Sequence, residues 1–86
     1  MKISVFGLGY VGCVTAAGLA SLGHKVIGVE VNKDKVDMFN FGKSPVVEKG
    51  LSELITKEIK SKRLRATIDA EWAVKETEVT IICVGT

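Results

Sequence analysis

The chain has 86 residues, 47% of them hydrophobic and 26% charged, and a net charge of +2. That length confines it to one small domain or part of one, burying only about 60–65% of the surface its unfolded form exposes. The charge is too small to argue for nucleic acid or a membrane as partner, and no run approaches the ~18 apolar residues of a membrane span.

No secretory leader is expected, because Met1-Lys2 is followed by too short an apolar run before the first glycine. A cytoplasmic location is therefore expected. Cys13 and Cys83 have neither metal-ligand nor redox-pair spacing, so they read as two buried, reduced thiols, and no metal is expected.

In chain order, "KISVFG" is a short β-branched and aromatic run ended by Gly7, which predicts a buried strand. Small and apolar residues from Tyr10 to Leu22 predict a helix with Gly23 as its stop. "KVIGVEV" is a second buried strand ending near Glu30, continuous in apolar residues as in a parallel sheet covered on both faces. Asn32 or Asp34 can cap a helix to about Phe41, with Val36 and Phe39 or Asn40 inward. The loop "GKSPVVEKG" holds the only proline, Pro45, and a helix follows over Leu51–Lys60 with Leu51, Leu54, Ile55 and Ile59 on one stripe. "RLRATID" predicts a modest strand, Asp69 a cap for a short helix through Lys75 with Trp72 and Ala73 inward, and "EVTIICVG" a final apolar strand.

Strands alternating with helices imply right-handed crossovers and a parallel sheet. The fold class is α/β, the N-terminal half of a doubly wound (Rossmann) sheet with strand order 3-2-1-4. The last strand would be left with an apolar unpaired edge, a liability for self-pairing. Residues 1–86 are accordingly expected to be the N-terminal part of a longer dinucleotide-binding domain, or to pair that edge in a homo-oligomer.

The stretch "VFGLGYVGCVTAAGLASLG" places five glycines where a strand runs into a helix. Gly7-Leu8-Gly9-Tyr10-Val11-Gly12 matches G-x-G-x-x-G. Gly7 turns the chain out of the strand, Gly9 removes a side chain where a pyrophosphate must approach, and Gly12 lets helix and strand pack closely. The N–H groups of Tyr10 and Val11 are then donors at a helix N-terminus, where the macrodipole favours an anion. Gly18 is expected to extend the close-packing face beside Ala16 and Ala17. Glu30 lies 18 residues after Gly12, near the ~20 expected for a carboxylate on ribose hydroxyls. Such a carboxylate repels a 2′-phosphate and favours NAD over NADP; the nearby Lys33 and Lys35 keep NADP as an alternative, and FAD sites share the glycine pattern.

Other residues have plainer readings. His24 lies in the turn after the first helix, where it can face the helix C-terminus. "KEIKSKRLR" is a solvated helix end or, as the alternative, a phosphate-binding patch. Glu48 fits local loop bonds, with a site role as the alternative.

"KISVFGLGYVG", "HKVIGVEVNKDKVD", "GKSPVVEKGL" and "IICVGT", in order over the whole chain, resemble the N-terminus of the UDP-glucose/GDP-mannose dehydrogenase family. The loop "GKSPVVEKGL" is more similar to the GDP-mannose branch than to the UDP-glucose branch. The resemblance implies an NAD-dependent enzyme that oxidises C6 of a nucleotide sugar, GDP-mannose to GDP-mannuronate, through a cysteine thioester in two hydride transfers for polysaccharide biosynthesis. It also carries the family's NAD contacts onto Tyr10, Val11, Glu30, Lys35 and Thr86, with Lys35 at the adenosine end. Two departures are Glu30, where the family usually has Asp, and Lys49, where the family's "EPGL" has proline at the helix entrance. The family's catalytic cysteine, lysine and asparagine lie beyond residue 86, so no residue here is assigned to catalysis and the chain alone is expected to be inactive. The reading from a different class is a non-catalytic dinucleotide-binding module that senses a ligand or self-associates.

Overall fold

The computed structural model describes residues 1–43 and 50–84. Eight elements follow in the order β1 (Lys2–Phe6), α1 (Tyr10–Ser21), β2 (Lys25–Val29), α2 (Lys33–Asn40), α3 (Leu51–Lys60), β3 (Leu64–Thr67), α4 (Ala70–Glu76) and β4 (Val79–Ile82). The strands form one parallel sheet in the order β3-β2-β1-β4, as the alternation of elements predicts.

Local chemistry explains the helix boundaries. The Asn32 side chain accepts from the amides of Asp34 and Lys35, and Asp69 from that of Trp72, each satisfying donors the helix cannot. At the end of α1, Gly23 has φ +100° and donates to the Ala20 carbonyl while His24 donates to Leu19, the paired 5→2 and 6→1 bonds of a left-handed stop. Gly42 closes α2 in the same way. Lys62 closes α3 likewise at φ +65°, a conformation that a residue with a Cβ holds at a cost of roughly 1 kcal/mol.

Alternation along the strands separates two faces. Ile3 and Val5 of β1, Val26 of β2 and Leu64 and Ala66 of β3 meet Ala16, Ala17 and Ala20 of α1, Val36 and Phe39 of α2 and Leu51 and Ile55 of α3 in one core. Each fully buried large side chain there contributes about 1.5–3 kcal/mol. Ser4 and Arg65, of the opposite parity, face α4. Thr77, just past α4, donates to Ser4 Oγ at 3.0 Å, and the Arg65 guanidinium lies 4.7 Å from the Trp72 ring centroid.

The two sheet edges differ. Along β3, Asn40 donates to the Ala66 carbonyl and accepts from the Ala66 amide, at 3.0 and 2.8 Å, so a side chain stands in for a neighbouring strand. Beyond β4 no described residue pairs, and Ile82 and Val84 are 64% and 63% exposed.

Two expectations need correction. A Cβ built on Gly18 meets nothing within 4 Å, so Gly18 is not part of the close-packing face; Ala16, Ala17 and Ala20 occupy that face, and Gly18 lies off it. Cys83 follows β4 and is half-buried, whereas Cys13 is fully buried. The two thiols are therefore not equivalent.

Candidate dinucleotide site

The glycine loop joins β1 to α1 at the carboxyl end of the sheet. Gly7 sits at φ +94°, and a Cβ there would lie 2.9 Å from the backbone of Val84. Its amide donates to the Val29 carbonyl at 2.8 Å, tying the turn to β2. Gly12 lies directly over Gly7, and a Cβ on it would run into the Gly7 carbonyl oxygen. Around Gly9, by contrast, a Cβ would meet nothing within 4 Å. Two glycines thus let backbone meet backbone, and the third leaves open space in front of the helix.

Gly9 is the N-cap of α1, and the first bond into the helix runs from Cys13 N–H to the Gly9 carbonyl at 2.9 Å. The amides of Tyr10, Val11 and Gly12 precede that bond and have no partner within the helix. α1 has no side-chain cap and no acidic residue in its first turn, whereas α2 and α4 have both. The positive end of its dipole is therefore not met by its own cap or first turn.

Glu30, half-buried just past β2, reaches this loop. One carboxylate oxygen accepts from the Leu8 amide at 3.2 Å and the other from the Asn32 amide at 2.9 Å. Each oxygen takes one backbone donor and keeps further acceptor capacity. The carboxylate borders a cleft of about 160 Å³ whose walls include Phe6, Gly7, Val29, Ile68 and Val84. Lys35, half-buried in the first turn of α2, is close enough to act on the charge of Cys13. Thr86, Pro45 and Glu48 lie outside the described residues.

Cys13 lies behind the loop, its Sγ donating to the Leu8 carbonyl at 3.3 Å. Burial pushes its thiol up to about 11; Lys35 lowers it in part, and Glu30 raises it further. It stays protonated at neutral pH and is a packing group, not a nucleophile. In a mass-spectrometric alkylation time course at pH 8, Cys83 is expected to be modified well before Cys13, which reacts only on unfolding. Equal rates would contradict the packing described here.

Sequence reasoning missed how the loop is held. Leu8 is fully buried beneath it, and a Cβ on Gly28 of β2 would come within 2.8 and 3.0 Å of the Leu8 methyl carbons. Gly28 opens the slot that Leu8 fills. The available signal was an isolated glycine inside an apolar strand, which often marks a close approach.

A parallel sheet of order 3-2-1-4, an uncapped helix behind a glycine turn and an acid from the next strand are the features of a Rossmann-type, dinucleotide-binding fold. The whole chain, residues 1–86, matches the family model described as "UDP-glucose/GDP-mannose dehydrogenase family, NAD binding domain", and the chain belongs to that family. It is 51% identical over its full length to GDP-mannose 6-dehydrogenase of Pseudomonas syringae pv. syringae and 52% identical to that of Azotobacter vinelandii. It superposes on a ternary complex of GDP-mannose dehydrogenase from Pseudomonas aeruginosa with a TM-score of 0.98 and 51% identity, covering all of this chain and 20% of that one. For UDP-glucose dehydrogenase from Pyrobaculum islandicum the TM-score is 0.94 at 45% identity, covering 99% of this chain and 20% of that one. The chain spans about one fifth of the length of the curated relatives it matches, 20% in both cases.

Proposed function

We propose that residues 1–86 hold the adenosine and pyrophosphate portion of NAD for a nucleotide-sugar 6-dehydrogenase of the GDP-mannose type. The observation that carries this reading is that the acid at the end of β2 and the uncapped amides of α1 converge on one glycine loop. The amides of Tyr10, Val11 and Gly12 are the donors for the pyrophosphate, and Gly9 leaves the approach open. Glu30, held by two backbone amides, accepts from the ribose hydroxyls, and the apolar cleft beside it takes the adenine. Lys35 provides positive charge near the adenosine end, and Thr86 is proposed to close the site after β4. NAD, when bound, supplies a hydride acceptor. The residues here bind and orient it, while the reacting groups are assigned to a longer protein whose sheet continues at the open edge of β4.

Support for GDP-mannose as the substrate is the 50–52% identity to enzymes of that name, against 38% to UDP-glucose 6-dehydrogenase of Rhizobium meliloti. UDP-glucose is the second reading, favoured by the 45% identity to the Pyrobaculum islandicum enzyme. Where no further strand covers that edge, pairing of β4 edges between two copies is the proposed mode of self-association.

Calorimetric titration tests the binding reading. NAD is expected to bind with a Kd on the order of 0.1 to a few mM, about 3.5–5.5 kcal/mol. NADP should bind more weakly, because its 2′-phosphate meets the Glu30 carboxylate, and Glu30→Ala should narrow the gap. A folded chain that binds neither nucleotide at several mM would overturn the reading.

A further inference from the structure

At the opposite, amino-terminal end of the sheet the fold gathers cations from separate segments. Lys2 of β1 and Lys25 of β2 are direct register partners, a pairing of like charges that destabilises a sheet unless something offsets it. Both have the parity of Ser4 and Ile27 and so face α4. Arg65 of β3, in register with Ile27, joins them on that face against Trp72. Lys62, projected by its left-handed backbone at the end of α3, lines the same cleft, which measures about 230 Å³. Among the described residues, no carboxylate is paired with the ammonium groups of Lys2, Lys25 and Lys62 or with the Arg65 guanidinium. The acids nearby are otherwise placed: Glu58 pairs with Arg63, Glu78 accepts from the Lys2 backbone amide, and Glu76 forms part of the wall.

We propose that this cleft is a second anion site, specific for a chain of phosphoanhydride-linked phosphates. Neighbouring strands lie about 4.8 Å apart and residues two apart along a strand roughly 6.6 Å apart, so the Cα atoms of Lys2, Lys25 and Arg65 extend over roughly 12 Å. Lys2, Lys25, Lys62 and Arg65 together offer more positive charge than one phosphate or sulfate carries, and a triphosphate matches it. The cleft is small for a whole nucleotide against typical ligand pockets of about 300–1,000 Å³, so the phosphate chain is the recognised part, whether free or carried by a nucleoside.

Trp72 is the only tryptophan and reports directly on the cleft. Titration of the chain with inorganic tripolyphosphate at low salt should change Trp72 fluorescence saturably, while sulfate at equal ionic strength should not. Lys25→Glu and, as a second variant, Lys2→Glu should each weaken the midpoint by about ten-fold. Lys57→Glu, the same charge change on an exposed face of α3, should leave it within about two-fold. NAD binding should be unaltered in Lys25→Glu, which separates this site from the glycine loop. A nucleoside triphosphate that binds as tightly as tripolyphosphate places recognition in the phosphates alone, and tighter binding adds a nucleoside contact to the same site. No saturable signal by about 10 mM, equal losses in Lys25→Glu and Lys57→Glu, or displacement of tripolyphosphate by NAD would each overturn the proposal.

Discussion

Gly12→Ala is expected to destabilise the chain by about 3 kcal/mol or more and to abolish measurable NAD binding. The added methyl would overlap the Gly7 carbonyl oxygen, with the Gly7 carbonyl carbon 2.8 Å away and Cys83 Cβ at 3.6 Å. Neither backbone can give way cheaply. Gly7 is held at φ +94°, bonded to Val29 on one side and backed by Val84 on the other. Relief requires α1 to move off the sheet, which uncovers Ala16, Ala17 and Ala20 at the centre of the core. A domain of this size has a total stability of only about 4–13 kcal/mol, so the loss is a large part of it. Urea unfolding followed by Trp72 fluorescence reads the effect. A variant within about 1 kcal/mol of the parent would mean that helix and strand are less closely packed than described.

Gly28→Ala is expected to cost about 1–3 kcal/mol and to weaken NAD binding, although Gly28 touches no part of the proposed ligand site. Its methyl would enter the space of the Leu8 methyl groups. The end of a leucine can swing aside when there is room, but Leu8 is fully buried. The strain therefore passes to the loop backbone, whose Leu8 amide is bonded to Glu30. Leu8→Ala alone should cost about 2–5 kcal/mol by leaving a cavity. Together the two changes exchange volume across one contact, so the double variant should be less destabilised than the sum, by roughly 0.5–3 kcal/mol. Strict additivity in that double-mutant cycle would remove Leu8 and Gly28 from contact and with them the account of how the loop is held.

Much of the geometry of the candidate site was legible because it is local in sequence. The turn at Gly7, the approach at Gly9 and the helix start at Tyr10 lie within four residues, and Glu30 follows from the length of one helix and one strand. The helix ends were equally local: Asn32, Asp69 and Gly23 act on amides and carbonyls two or three residues away. Residues set by contacts across the fold were not legible. Gly18 stands beside Ala16 and Ala17 in the chain as if on their packing face, yet it faces open space, whereas Gly28, an isolated glycine in a strand, faces the Leu8 side chain. Glu58 falls on the predicted apolar stripe of α3, seven residues after Leu51 and three after Ile55, and is 1% exposed; only the fold shows how a charge is kept there, with Ser61 and Arg63 donating to its carboxylate.

By itself, then, the amino-acid order determined the succession of strands and helices, the parallel half-sheet they can form and the glycine turn with its acid. Each depends on backbone geometry and on periodicities of a few residues. Only the tertiary structure decided what Gly18 and Gly28 face, which thiol is sealed and which cations share a face. Those properties depend on strand register and on distances between segments twenty or more residues apart. Lys2 and Lys25 are two unremarkable surface lysines until β1 and β2 pair, and the register of that pairing is what sets their charges side by side.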